Sequence, residues 1–176
     1  MLALRANANT VFVGQFSIQG EESLSNTQQR LSLLCRVGVH LCALPIEVVV
    51  ETMRPLPVEF VGGAPEFVRG LSIIRGVPLP VVDTGSLLGA AESRPTRFVT
   101  VRAGNRLVVL AVDAVLGLRA IADDSIQELP PLLGDSRADL IAAIGAVDSE
   151  LLLVLRTARV VPESMWAVLE LEGVSQ

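Results

Sequence analysis

Side chains able to do chemistry are scarce in this chain, and their absences are as informative as their positions. It has one histidine, His40, two cysteines, Cys35 and Cys42, no tyrosine, and basic residues that are all arginine. Without lysine there is no P-loop ammonium, no Schiff base and no pyridoxal anchor. A single imidazole cannot supply the paired ligands of a His-x-x-x-His zinc site. Gly85-Ser86 lacks the frame of a Gly-x-Ser-x-Gly elbow, and His40 would have to be its base. Gly62-Gly63 is followed by no Gly-x-x-x-x-Gly-Lys, so it reads as a loop rather than a phosphate cradle. Asp123, Asp124 and Glu128 are acids in a Pro-containing segment and read as solvated. No catalytic, cofactor-binding or metal-binding residue is expected, and no cofactor. What stands out instead is Arg75, set between two apolar runs and followed by Gly76, a pairing that suits a turn.

The elements that must position these residues are short apolar runs separated by turn signals. Leu31–Val37 and His40–Leu44 flank Gly38-Val39, a two-residue link with glycine first, as a type II′ hairpin prefers. That turn sets Cys35 directly opposite Cys42, on one face with Leu33, Val37 and Leu44. The thiols are therefore expected to be buried and reduced, with His40 a surface residue beside the turn. Val48–Met53 continues as a strand, and Pro55, Pro57, Gly62, Gly63 and Pro65 mark a loop. Phe67–Ile74 and Val77–Val82 form a second pair around Arg75-Gly76, placed at a sheet edge because Pro78 and Pro80 cannot donate to a ladder.

The second half repeats this grammar. Phe98–Val101 and Leu107–Val112 flank Gly104-Asn105, and Val115–Ile121 follows. Ala122–Asp135 reads as a loop, and Leu140–Val147 pairs with Leu151–Leu155 around Asp148-Ser149. Arg36–Leu44 falls on Arg102–Leu110, Glu47 on Asp113, and Leu79–Val82 on Leu152–Leu155. Two similar β-modules of about 60 residues follow, each too small to bury enough surface alone, so the two should share a core. Residues 1–29 read as a polar arm, 30–160 as the domain, and 161–176 as a short C-terminal helix and tail, with Pro162 at its start, Met165, Trp166 and Leu169 on one face and Gly173 near its end.

Composition bounds the rest. Half the chain, 51%, is apolar and only 3% aromatic, enough for an aliphatic core and incompatible with wholesale disorder. A net charge of −5 argues against nucleic-acid binding. The longest apolar run, Leu107–Val112, is far below the ~20 residues of a spanning helix, so no direct membrane insertion is expected. The N-terminal stretch has no continuous apolar core of the signal-peptide kind, and two cysteines fit a reducing, cytoplasmic compartment.

The stretch Arg69-Gly70-Leu71-Ser72-Ile73-Ile74-Arg75-Gly76-Val77-Pro78-Leu79-Pro80-Val81-Val82-Asp83 resembles the signature of the CheW family of chemotaxis coupling proteins. Ala43-Leu44-Pro45, Glu51 and Val109-Leu110-Ala111-Val112-Asp113 stand around it in the family's order, so the resemblance covers about Leu31–Leu155. It implies an all-β fold of two five-stranded SH3-like barrels, intertwined and sharing a core, and no catalysis. It also implies an adaptor role in two-component signal transduction. The partners would be the cytoplasmic tip of methyl-accepting chemotaxis receptors and the regulatory domain of a CheA-type histidine kinase.

By the same resemblance Arg75 pairs with Glu51 in the receptor-binding region, with Gly70 in the signature beside them. Val49, Phe98, Val115 and Leu118 line a groove between the barrels that takes the apolar face of a helix. The kinase is expected at barrel ends. The chain departs from the family pattern at Ile73, where a polar residue is usual, at Thr84-Gly85, where Leu-Arg is usual, and at Arg156, where Asp or Asn is usual. These departures bear on fine specificity. Other readings are a small-molecule-binding β-barrel sensor, or an adaptor in a separate chemosensory pathway controlling surface motility or gene expression.

Overall fold

The computed structural model describes residues 28–128, 140–157, 161 and 166. Eleven strands form two sheets among the described residues. The chain runs β1 (Gln29–Val37), β2 (His40–Pro45), a 3-10 turn (Ile46–Val48), β3 (Val49–Met53), β4 (Val68–Ile74), β5 (Val77–Asp83) and helix α1 (Thr84–Leu88). It continues with β6 (Arg97–Ala103), β7 (Arg106–Val112), β8 (Ala114–Ala122), a 3-10 turn (Asp123–Ser125), β9 (Ile126–Glu128), β10 (Ile141–Val147) and β11 (Glu150–Leu155). The six-stranded sheet has the order β8-β1-β2-β11-β10-β9 and the five-stranded sheet β3-β6-β7-β5-β4.

Neither sheet is one half of the chain. The first hairpin, β1-β2, belongs with β8 to β11, and the hairpin β6-β7 belongs with β3 to β5. The halves have exchanged their leading hairpins, and parallel contacts lock the exchange, β11 on β2 and β5 on β7. The duplicated grammar of the sequence is real; its units are interleaved.

This exchange explains why the strands read as unbroken apolar runs. Leu34, Leu41, Ala43, Ile121 and Leu152 form a core private to the six-stranded sheet, and Ile74, Leu79, Val81, Phe98, Val109 and Ala111 one private to the five-stranded sheet. The alternate residues of the same strands, such as Leu33, Cys35, Cys42, Leu44, Val99, Val101, Val108 and Leu110, enter a third core shared by both sheets. A strand buried on both faces loses its polar alternation.

The hairpin registers follow the turn chemistry. Cys35 faces Cys42 across the ladder, and both are buried free thiols. Gly38, at φ 55°, opens that turn. The prolines sit differently from the edge placement expected of both strands. Strand β4 is an edge, but β5 lies inside the sheet between β4 and β7. Its ladder to β7 begins at Val81, beyond Pro78 and Pro80, so neither proline interrupts it.

Two elements lie where loop was expected or nothing was assigned. Strand β9 occupies part of the acidic segment and pairs with β10. Helix α1 starts on Asp83, whose carboxylate accepts from the Ser86 N–H at 3.1 Å, and stops at Gly89 in the left-handed conformation, φ 69°. The polar arm falls outside the described residues up to position 27, and so does the C-terminal helix apart from the helical Trp166. No helix among the described residues is long and apolar enough to cross a membrane.

Candidate functional site

Arg75 and Gly76 form the tip of the β4-β5 hairpin, both left-handed, at φ 51° and 81°. A turn with two consecutive positive φ values matches the right-handed twist of the strands it joins. It also aims the Arg75 side chain across the open side of the five-stranded sheet toward β3, the opposite edge. There Nε donates to both Glu51 oxygens at 3.0 Å and Nη2 donates to Oε2 at 2.7 Å. This fork-on-carboxylate geometry fixes the guanidinium plane. The pair thus joins β3 to the β4-β5 tip, the two edges of one sheet. Hydrogen bonding from Arg75 holds the Glu51 carboxyl below its ordinary value, and Glu51 raises that of Arg75. The Arg75 side chain is 80% exposed and that of Glu51 22%, so the arginine is the face the solvent meets.

The apolar residues expected with this pair have different fates. Val49 on β3 and Val115 on β8 are half-buried and pack on the margin of the shared core. Leu118 on β8 is 57% exposed, opposite Leu33. Phe98 is 1% exposed, in the private core of the five-stranded sheet opposite Met53, so its ring reaches no groove surface. It lies under β3 as packing. Gly70 is also buried, and its role is in the backbone: at φ 137°, an added Cβ would sit 1.9 Å from the Glu59 carbonyl oxygen. Ile73, where the family pattern has a polar residue, is 65% exposed and flanks Arg75, with Val77 at 51%. Thr84 is fully buried, and Gly85 is pressed against Ser93, where a longer side chain has no room. Arg156 is exposed, and its N–H donates to the Leu140 carbonyl.

Other features were not singled out from sequence. Val50 and Leu116 are exposed because each is the extra residue of a bulge, next to Val49 and Val115 respectively. A cleft of about 430 Å³ opens in the six-stranded sheet among Leu34, Leu41, Leu116, Leu118 and Val147. Its rim holds two ion pairs, Arg36 with Glu150 and Arg119 with Asp148 at 2.6 Å. Arg119 and Asp148 join β8 to the β10-β11 tip as Glu51 and Arg75 join β3 to the β4-β5 tip, with the signs reversed. Extending the overlay of Leu79–Val82 on Leu152–Leu155 back to the turns lays Arg75-Gly76 on Asp148-Ser149, and that is the sequence signal for this pair. Among the described residues no group of three or more His, Cys, Asp or Glu is arranged to hold a metal ion.

Residues 32–165 match the family model of the CheW-like domain. The chain belongs to the CheW-like family. Its curated relatives include the chemotaxis protein CheW of Rhizobium meliloti, 28% identical over 130 residues, covering 72% of this chain and 84% of that protein. Protein FrzA of Myxococcus xanthus is 36% identical over 112 residues, covering 59% of this chain and 66% of that one. Among solved structures, the scaffolding protein TtCheW of Thermoanaerobacter tengcongensis superposes with a TM-score of 0.68 at 22% identity, covering 76% of this chain and 92% of that one. Membership of the CheW-like family places this chain with the chemotaxis adaptors, and the TtCheW likeness shows the two-subdomain β fold. The departures at Ile73, Thr84-Gly85 and Arg156 are therefore variations within the family.

Proposed function

We propose that this chain is a non-catalytic cytoplasmic adaptor that couples the cytoplasmic tip of a chemoreceptor to the regulatory domain of a CheA-type histidine kinase. The observation that carries the reading is the Arg75–Glu51 fork, a rigid polar landmark bridging two sheet edges with exposed apolar side chains beside it. Val49, Val115 and Leu118, joined by Val50 and Leu116, supply apolar surface for one face of a receptor helix, and Arg75 fixes its register. Phe98 and Gly70 act from beneath, one as packing and one as backbone. The kinase domain docks at the barrel ends. Holding both partners on one scaffold makes receptor conformation bias kinase activity by population shift, and no bond is made or broken by the adaptor.

Arg75→Glu tests this. The substituted chain should fold, since the side chain is largely in solvent, and should lose capture of a receptor signalling fragment or of the kinase regulatory domain. Leu118→Glu should weaken receptor capture in the same assay. Undiminished binding of both partners by both variants would overturn the assignment.

A further inference from the structure

Among the described residues the chain passes between the two sheets twice. One passage is the 3-10 turn Ile46–Val48, and the other is a single residue, Asp113, between β7 and β8. All four polar groups of Asp113 are engaged. Its N–H donates to the Arg36 carbonyl at 2.9 Å, continuing the β1 ladder of the six-stranded sheet, and its carbonyl accepts from Thr96 Oγ1. Its carboxylate divides between the sheets. Oδ2 accepts from the Gly38 N–H at 2.7 Å, at the β1-β2 turn of the six-stranded sheet. Oδ1 accepts from Ser93 Oγ at 2.8 Å, in the loop that feeds β6 of the five-stranded sheet. Ionised acceptors make the stronger kind of hydrogen bond, and these two span the join.

Packing at the same place is equally close. A Cβ at Gly38 would lie 2.9 Å from Ala90 Cβ, and one at Gly85 would lie 2.1 Å from Ser93 Cβ. The loop from Gly89 to Thr96 is thus wedged against the turn of the other sheet, with Asp113 bonded to both sides. Glu47, which the sequence overlay matches to Asp113, is exposed at the other crossing. The two crossings are therefore unequal, and one carries the fastening.

We infer that Asp113 is a positioning residue for partner binding: its carboxylate fixes the angle between the sheets and so the separation of β3 from β8. This rests on the reading that a receptor helix lies between those strands. A groove lined from two sheets depends on their relative placement, whereas a surface on one barrel end does not. Asparagine can keep the geometry, accepting from Gly38 through Oδ1 and donating to Ser93 through Nδ2. Alanine can do neither.

The test uses the full chain with single cysteines introduced at Thr52 on β3 and Ala120 on β8, both exposed and outside the proposed receptor surface, for paired spin labels; the native thiols are buried and stay unlabelled. Asp113→Ala should shift or broaden the label distance, weaken binding of a receptor signalling fragment by roughly 5- to 10-fold, and leave binding of the kinase regulatory domain unchanged. Asp113→Asn should restore both distance and affinity, and Ser93→Ala should give a smaller change in the same direction. An unchanged distance in Asp113→Ala overturns the positioning role and leaves the groove reading standing. A failure of Asp113→Asn equal to that of Asp113→Ala also overturns it. If the distance shifts while neither Asp113→Ala nor Leu118→Glu alters receptor binding, the groove reading itself falls, and this inference with it.

Discussion

Gly70 offers the sharpest test, because an internal control sits six residues away. Both Gly70 and Gly76 hold positive φ, 137° and 81°, but only Gly70 has something in the way: Glu59 O at 1.9 Å and Glu59 C at 2.7 Å from an added Cβ. Nothing lies within 4 Å of a Cβ at Gly76. The obstruction is backbone, so no rotamer change relieves it. Relief requires residues 58–60 to move off the β4 edge, breaking the reciprocal bonds Glu59 N–H to Leu71 O and Leu71 N–H to Glu59 O, each 2.8 Å.

Strained φ costs about 1–3 kcal/mol, and each lost bond about 0.5–1.5 kcal/mol. Gly70→Ala should therefore destabilise by about 2–6 kcal/mol, against about 1 kcal/mol for Gly76→Ala. With a urea m value of about 2 kcal/mol/M, the Gly70→Ala midpoint should fall by about 1–3 M, and that of Gly76→Ala by about 0.5 M. Equal shifts for the two variants would refute the close-approach argument. A Gly70→Ala chain that folds normally but fails to bind would refute the placement of Gly70 in the scaffold rather than at the surface.

Phe98→Ala should cost about 3–5 kcal/mol in the same denaturation assay, while Leu118→Ala should stay within about 0.5 kcal/mol; comparable losses would mean Phe98 is not core. Burial pushes both Cys35 and Cys42 up to about 12, so neither should react with iodoacetamide at pH 8 until urea unfolds the chain. Rapid alkylation of the native protein would refute the shared-core placement. Glu51 and Glu150 are held below their ordinary 4.5, first by hydrogen bonds from Arg75 and Arg36. Each is then more easily protonated in the unfolded chain, so its contribution is complete above the ordinary value and is lost as pH falls through the native one. Carboxyl NMR titration should show the Glu51 midpoint rising in Arg75→Gln, and an unmoved midpoint would deny the pairing.

The local turns were legible in the residues themselves, whereas the long-range exchange was legible only as the intertwining that the family resemblance implies. Gly38-Val39, Arg75-Gly76, Gly104-Asn105 and Asp148-Ser149 each mark a hairpin through residues that tolerate or demand positive φ, and the Cys35–Cys42 register followed from the first of them. Helix α1 had a signal in Asp83 and Gly89, a cap and a stop six residues apart that are easily passed over in so short an element. Nothing local marks β11 as the parallel neighbour of β2, because that pairing is set by which faces the shared core covers. Phe98 illustrates the same blindness. In a strand where Phe98 and Val99 are both buried, alternation cannot say which core receives the ring. Arg75 stood out at its turn, but its pairing with Glu51 was legible only through family resemblance, since their contact joins two edges of a sheet whose strand order the sequence does not reveal.

The duplication also poses a problem that side chains must solve. Two interleaved copies of one motif give the molecule two similar hairpin tips, each beginning on a left-handed non-glycine residue, Arg75 and Asp148, both at φ 51°. A partner reading backbone shape alone would accept either tip. Charge removes that degeneracy. One tip presents an arginine 80% exposed, anchored by a largely covered glutamate; the other presents an aspartate 79% exposed, held by Arg119. If the first tip is a docking point, as proposed, a surface that pairs with it meets a like charge at the second tip and is repelled there as well as lacking attraction. Exchanging the charges, with Arg75→Asp and Glu51→Arg together, keeps an ion pair across the sheet edge while inverting what solvent meets. The scaffold should survive that exchange, and partner choice should not.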